Sequence, residues 1–203
     1  SGTTRVSVPV SQEAKPDIVD PDIDIPEGYR LIWQDEFNDS KLSTPDESLW
    51  WYETGASGWG NNEIQNYIPG SKNGETCAQV SNGTLKIIAK KVGNEVYSIR
   101  MNTVESWKYG YFEARLKLPT GKGTWPAFWM MGNDIESGAP WPYCGEIDIM
   151  EHRNAEQNVI GTLHYNSGKG TSAGYAHQYI GSEINGQYGY IGDMNQWHKY
   201  AVE

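Results

Sequence analysis

Three acids in one short run, Gly145-Glu146-Ile147-Asp148-Ile149-Met150-Glu151, have the types and spacing to do chemistry. The apolar residues between them are largely β-branched, so the run reads as a strand whose side chains alternate between faces. Alternation puts Glu146 and Asp148 on one face and Ile147 and Ile149 on the other. Continued unbroken, it would turn Glu151 into the core, and burying an unpaired carboxylate is costly. One extra residue at Ile149-Met150, a β-bulge, restores the phase and returns Glu151 to the acidic face. Four effective strand steps span roughly 13 Å, and two Glu side chains leaning together at about 4 Å each leave about 5 Å. That is the carboxyl separation of a retaining glycosidase's nucleophile and acid/base. Asp148 between them can share a proton, so that one Glu stays ionised while its partner's pKa rises. A solvated acidic strand face, or a calcium site, would use the same three residues.

The elements that must position these acids read as strands throughout. Tyr29 to Gln34 alternates before Asp35-Glu36-Phe37-Asn38 turns away. Thr84 to Lys91, following an Asn82-Gly83 turn, carries Leu85, Ile87 and Ala89 on one face. Tyr109 to Leu118 sets Phe112, Ala114, Leu116 and Leu118 against Tyr111, Glu113, Arg115 and Lys117. Val159 to Tyr165 and His198 to Glu203 alternate likewise, and no stretch sustains a helical period. Many short strands with Gly- and Asn-rich turns predict an all-β sandwich or barrel. In Thr124-Trp125-Pro126-Ala127-Phe128-Trp129-Met130-Met131, Trp125, Ala127 and Trp129 share a face opposite Phe128 and Met130, with Pro126 marking an edge or irregular strand. Aromatic rings suit the apolar C–H faces of pyranose sugars, and Trp141 lies just upstream of the acids. The same rings would serve equally in a core. Asn61 and Asn62 in Gly58-Trp59-Gly60-Asn61-Asn62-Glu63, and Arg100 from a strand, offer groups for sugar hydroxyls. His164, sharing a face with Thr162 and Asn166, is placed to orient the acids.

With 203 residues, nine Trp and thirteen Tyr, the chain can bury a core and still leave aromatics for a binding surface. A net charge of −10 argues against nucleic acid and anionic membranes as partners. No apolar run of about 18 residues is present to span a membrane. Cys77 and Cys144 are too far apart to be a zinc ligand pair, and the four histidines lack metal spacing, so no metal site is assigned. A disulfide between the two cysteines and two buried thiols both remain open. Residues 1–28, with Lys15-Pro16-Asp17 through Ile25-Pro26, read as a disordered acidic, Pro-rich linker. The folded domain is expected over 29–203.

The chain resembles glycoside hydrolase family 16, in particular its laminarinase-like bacterial endo-β-glucanases. The resemblance is carried by Trp33-Gln34-Asp35-Glu36-Phe37, Gly58-Trp59-Gly60-Asn61-Asn62-Glu63 and Tyr109-Gly110-Tyr111-Phe112-Glu113-Ala114-Arg115. It continues through Trp125-Pro126-Ala127-Phe128-Trp129 and Gly145 to His152. It implies a β-jelly roll of two antiparallel sheets with an open concave cleft, and a secreted or cell-surface enzyme that cleaves β-1,3- or mixed-linkage β-glucan without a required cofactor. By motif position Glu146 matches the nucleophile, Asp148 the assisting acid and Glu151 the acid/base. Trp125, Trp129 and Trp141 match cleft aromatics, and Asn61, Asn62, Arg100 and His164 match polar cleft residues. A structural calcium is a family option. The alternatives are a β-galactan hydrolase of the same family and a non-catalytic carbohydrate-binding relative, which would lack one or more of the acids. The family pattern continues beyond Glu203 with further strands, so these are expected from another segment or chain.

Overall fold

Where apolar and polar residues alternate over short runs between Gly- and Asn-rich turns, the chain forms strands almost without exception. The computed structural model describes residues 3–9, 24–168, 177–181 and 193–203. Among the described residues the only helical element is a single 3-10 turn, Asn133–Ile135. The chain divides into two compact units, residues 1–110 and 111–203.

The first unit holds β1 (Thr3–Pro9), β2 (Tyr29–Asp35), β3 (Trp50–Glu53), β4 (Asn66–Tyr67), β5 (Ser71–Lys72) and β6 (Glu75–Thr76). It continues with β7 (Ala78–Ser81), β8 (Thr84–Ile87), β9 (Lys90–Val92), β10 (Glu95–Ser98) and β11 (Arg100–Thr103). β1 pairs antiparallel with β2, and β3 with β11. β10 lies between β4 and β9. The core is Ile68, Cys77, Ala78, Tyr97 and Ile99, with Tyr52, Leu85, Val92 and Met101 packed against it. The Asn82-Gly83 turn between β7 and β8 has both residues at positive φ, 53° and 68°, the geometry that a two-residue hairpin of this hand demands.

Two expectations change here, and one open alternative closes. Residues 3–9, read as part of a disordered linker, form β1; the Pro- and acid-rich composition belongs to the later residues, of which 10–23 lie outside the described set. The strand expected over Thr84 to Lys91 breaks at Ile88, whose N–H bonds the Cys77 carbonyl at 2.8 Å. β8 then pairs with β7 and β9 with β10, and Ile87 is left 58% exposed. Both cysteines are free thiols, Cys77 fully buried in the first unit's core.

The second unit holds β12 (Tyr111–Leu116), β13 (Ala127–Met131), β14 (Glu146–Glu151), β15 (Ile160–Asn166), β16 (His177–Gly181) and β17 (His198–Val202). β13-β14-β15-β16 form one antiparallel sheet, and β12 pairs with β17. Leu118, Met150, Val159, Met194 and Tyr200 are buried together, with Leu116, Phe128 and Ile149 against them. The core therefore lies between the β12–β17 pair and one face of the four-stranded sheet, leaving that sheet's other face to the acids. Glu113, assigned by alternation to the polar side of β12, is nonetheless buried. It accepts the Tyr111 hydroxyl at 3.1 Å and faces Lys199 of β17 at 3.6 Å.

Candidate active site

The phase correction expected in the acidic strand is present. Against β13, Asp148 is opposite Trp129 and Met150 is opposite Phe128, so Ile149 is the extra residue. Against β15, Asp148 faces Thr162 and Glu151 faces Ile160, the same one-residue excess. Ile149 and Met150 consequently both pack on the core, and Met150 is only 1% exposed. Putting two successive residues on one face is what a bulge does, and it brings Glu151 back to the face of Glu146 and Asp148.

Each acid on that face has its own partner. The Trp141 indole N–H donates to Glu146 Oε2 at 2.7 Å, and the Trp125 indole N–H donates to Glu151 Oε1 at 2.9 Å. Asp148 is 4% exposed and bonds Glu146, while His164, opposite Glu146 on β15, brings Nε2 to 3.1 Å from Asp148 Oδ2. Burial drives the Asp148 pKa far above the usual carboxylate range, and the hydrogen bond to Glu146 and the charges of Glu146 and Glu151 push the same way. Asp148 thus carries a proton at neutral pH and can give it in a hydrogen bond to Glu146. Burial also raises Glu151; the Trp125 N–H draws it back down and the Glu146 charge lifts it.

Backbone contacts set these side chains in place. His152 N–H bonds the Pro126 carbonyl at 3.1 Å and Asn154 N–H bonds the Thr124 carbonyl at 2.9 Å, so both neighbours of Trp125 are tied to the segment after Glu151. Pro126 directly precedes β13, which is the terminal strand of its sheet among the described residues. At the other end of β14, Gly132 N–H bonds the Gly145 carbonyl at 3.1 Å. A Cβ on Gly132 would sit 1.9 Å from the Cys144 carbonyl oxygen, so only glycine lets these segments approach. Trp141 precedes a cis proline, and its ring lies 5.7 Å from that of His164. His152 is buried, its Nε2 at 2.7 Å from the Glu156 carbonyl oxygen, which braces the turn leaving β14.

The second unit therefore brings together Glu146, Asp148, Glu151, Trp125, Trp129, Trp141 and His164. Arg100, Asn61 and Asn62 belong to the first unit. There Arg100 Nε bonds Glu53 Oε2 at 2.6 Å, and its guanidinium lies 4.6 Å from the centre of the Trp59 ring. Asn61 Nδ2 donates to Glu63 Oε2 at 3.1 Å, and Glu63 also takes the Tyr67 hydroxyl at 2.7 Å. Asn62 is exposed at φ 56°. Sequence reasoning passed over Glu53, Glu63, Gly132 and His152. Glu63 and His152 lie inside the motifs named above and bond residues within four positions, whereas Glu53 and Gly132 lie outside them and meet Arg100 and the Cys144-Gly145 segment, which the sequence does not bring near.

Among the described residues one group of three or more His, Cys, Asp or Glu has its ligand atoms within 4.8 Å of one another, Glu146, Asp148 and His164. An imidazole nitrogen and a proton-bearing carboxyl fit calcium poorly, since that ion takes six to eight oxygens. No calcium is assigned to it. No helix among the described residues is long and apolar enough to cross a membrane.

A family model described as an XgeA-like, catalytic GH16 domain matches residues 62–190. The beta-glucanase of Rhodothermus marinus is 39% identical over 182 residues, covering 86% of this chain and 59% of that protein. The glucan endo-1,3-beta-glucosidase of Cryptopygus antarcticus is 42% identical over 144 residues, 66% of this chain and 50% of that protein. The chain thus spans between half and three fifths of these relatives' own length. The crystal structure of a laminarinase from Flavobacterium sp. UMI-01 aligns with a TM-score of 0.66 at 35% identity, covering 86% of this chain and 70% of that one.

Proposed function

The chain belongs to glycoside hydrolase family 16, with that family's all-β jelly-roll fold, and on that premise we propose that it hydrolyses β-glucan internally with retention of anomeric configuration. One observation carries the reading: three acids on one face of a bulged strand, the middle one protonated and bonded to Glu146, the last raised and bonded by Trp125.

Glu146, bonded by the protonated Asp148, attacks the anomeric carbon while Glu151 gives its proton to the departing glycosidic oxygen. A glycosyl ester on Glu146 results. Glu151, now a carboxylate, takes a proton from water, whose oxygen displaces Glu146 from the same carbon. Two inversions return the β anomer. Trp125, Trp129, Trp141 and His164 supply sugar contacts beside the acids. β-1,3-Glucan is the substrate favoured by the relatives' names, with mixed-linkage glucan beside it. A polymer of this size is met outside the cell, which fits a secreted protein or one held at the surface through its N-terminal segment.

The test is reducing-sugar release from laminarin and from barley β-glucan, with Glu146→Ser alongside. Hydrolysis should disappear in the variant while oligosaccharide binding persists, and NMR of the first product should show the β anomer. An active variant, or an α product, would overturn the reading.

A further inference from the structure

The sequence offered Trp125 as a platform for a sugar ring or as a core residue. In the structure its indole edge is committed to Glu151. Oε1 of Glu151 accepts the indole N–H at 2.9 Å, and an indole nitrogen can only donate. The ring is 46% exposed, so one edge is engaged while much of the surface stays open. An exposed Trp at the end of a loop would ordinarily sample several rotamers. Here the Thr124 and Pro126 carbonyls on either side are bonded by Asn154 and His152, and Gly123 N–H bonds Asn154 Oδ1 at 2.7 Å. Ala127, two residues on, is registered opposite Glu151 itself. Indole and carboxyl are therefore held by the same short stretch of backbone.

The geometry points to Trp125 as the positioning residue of the acid/base step: its N–H holds Oε1 of Glu151, leaving Oε2 as the oxygen that delivers the proton to the leaving group and later recovers one from water. This rests on the acid/base reading of Glu151. Among the described residues, the titratable and charged groups around Glu151 are Glu146 and the protonated Asp148 on its own strand, His164 from β15 and Arg153 beyond the strand's end. β13 contributes Trp129 and no charge at this face. Removing the indole donor therefore takes away a stabiliser of the carboxylate that none of those groups replaces in place.

Trp125→Phe keeps most of the ring and loses the N–H. The alkaline limb of kcat/KM on laminarin, where the acid must be protonated, should move up by about half to one pH unit, with kcat lowered more than KM is raised. The Trp125 indole resonance of the unaltered protein, identified by its loss in Trp125→Phe, should shift with pH through that same limb and stay constant in Glu151→Gln. An unmoved limb with a raised KM, or an indole resonance indifferent to Glu151, makes Trp125 a stacking surface alone and overturns the inference. If Glu151→Gln leaves the limb where it was, Glu151 is not the acid, and the underlying reading fails first. The resonance test needs no folded variant of Trp125 beyond the assignment, so a low-melting Trp125→Phe does not decide the matter.

Discussion

Replacing Asp148 by Asn should make the protein's stability less sensitive to pH, and the size of the effect follows from where the proton sits. Asp148 is 4% exposed, bonded to Glu146 and 3.1 Å from His164 Nε2. Its folded pKa is raised, by burial first and by Glu146 second. In the unfolded chain an Asp loses its proton near about pH 3.9. Between that value and the higher folded one, the folded state binds a proton that the unfolded state has released. Stability is therefore fully present at low pH and falls as pH rises through this window. One proton gives a slope of at most about 1.4 kcal/mol per pH unit. Sharing that proton with Glu146 leaves the slope unchanged, because linkage counts the protons bound and not which carboxyl holds them. An Asn amide reproduces the protonated acid, donating to Glu146 and accepting from His164, but has no proton to lose. Urea melts at pH 5, 6 and 7 should thus show the unaltered protein losing about 2–3 kcal/mol more than Asp148→Asn across that range. Contributions from Glu151, raised like Asp148, and from Asp46, lowered by its bonds to Ser48, occur in both proteins and cancel in the difference. Parallel curves for the two proteins would refute a proton held on Asp148.

Met150→Ala should cost about 2–5 kcal/mol, because the bulge drives this side chain into the core among Leu118, Val159, Met194 and Tyr200; thermal melting measures it, and a loss below about 1 kcal/mol would mean the site collapses around the hole. Gly132→Ala places a methyl group against the Cys144 carbonyl, so it should destabilise by about 1–3 kcal/mol. It should also lower kcat/KM on laminarin, since Gly145, bonded to Gly132, leads directly into Glu146. Unchanged melting and turnover in that variant would show that the two segments can part freely.

What the sequence determined by itself was local. A strand has a side-chain period of two, so the face of every residue from Glu146 to Asp148 follows from counting, and the cost of burying Glu151 forces one extra residue into the count. The bulge at Ile149, the acid face and the apolar side of β13 were legible for that reason. The aromatic character around the acids was legible too, but not its use. Whether Trp125 offers a ring face or an N–H depends on its bond to Glu151 and on a backbone that His152 and Asn154, from beyond β14, tie down on both sides of it. Counting along Tyr109 to Leu118 put Glu113 on the open side, yet Lys199 of β17 faces it and it is buried. The same counting joined Ile87 to a core face that ends when β8 and β9 choose different partners. Periodicity states which side of a strand a residue occupies. Only the tertiary structure decides what stands on that side, because burial, hydrogen-bond partners and the proton on Asp148 all depend on chain segments far away in sequence.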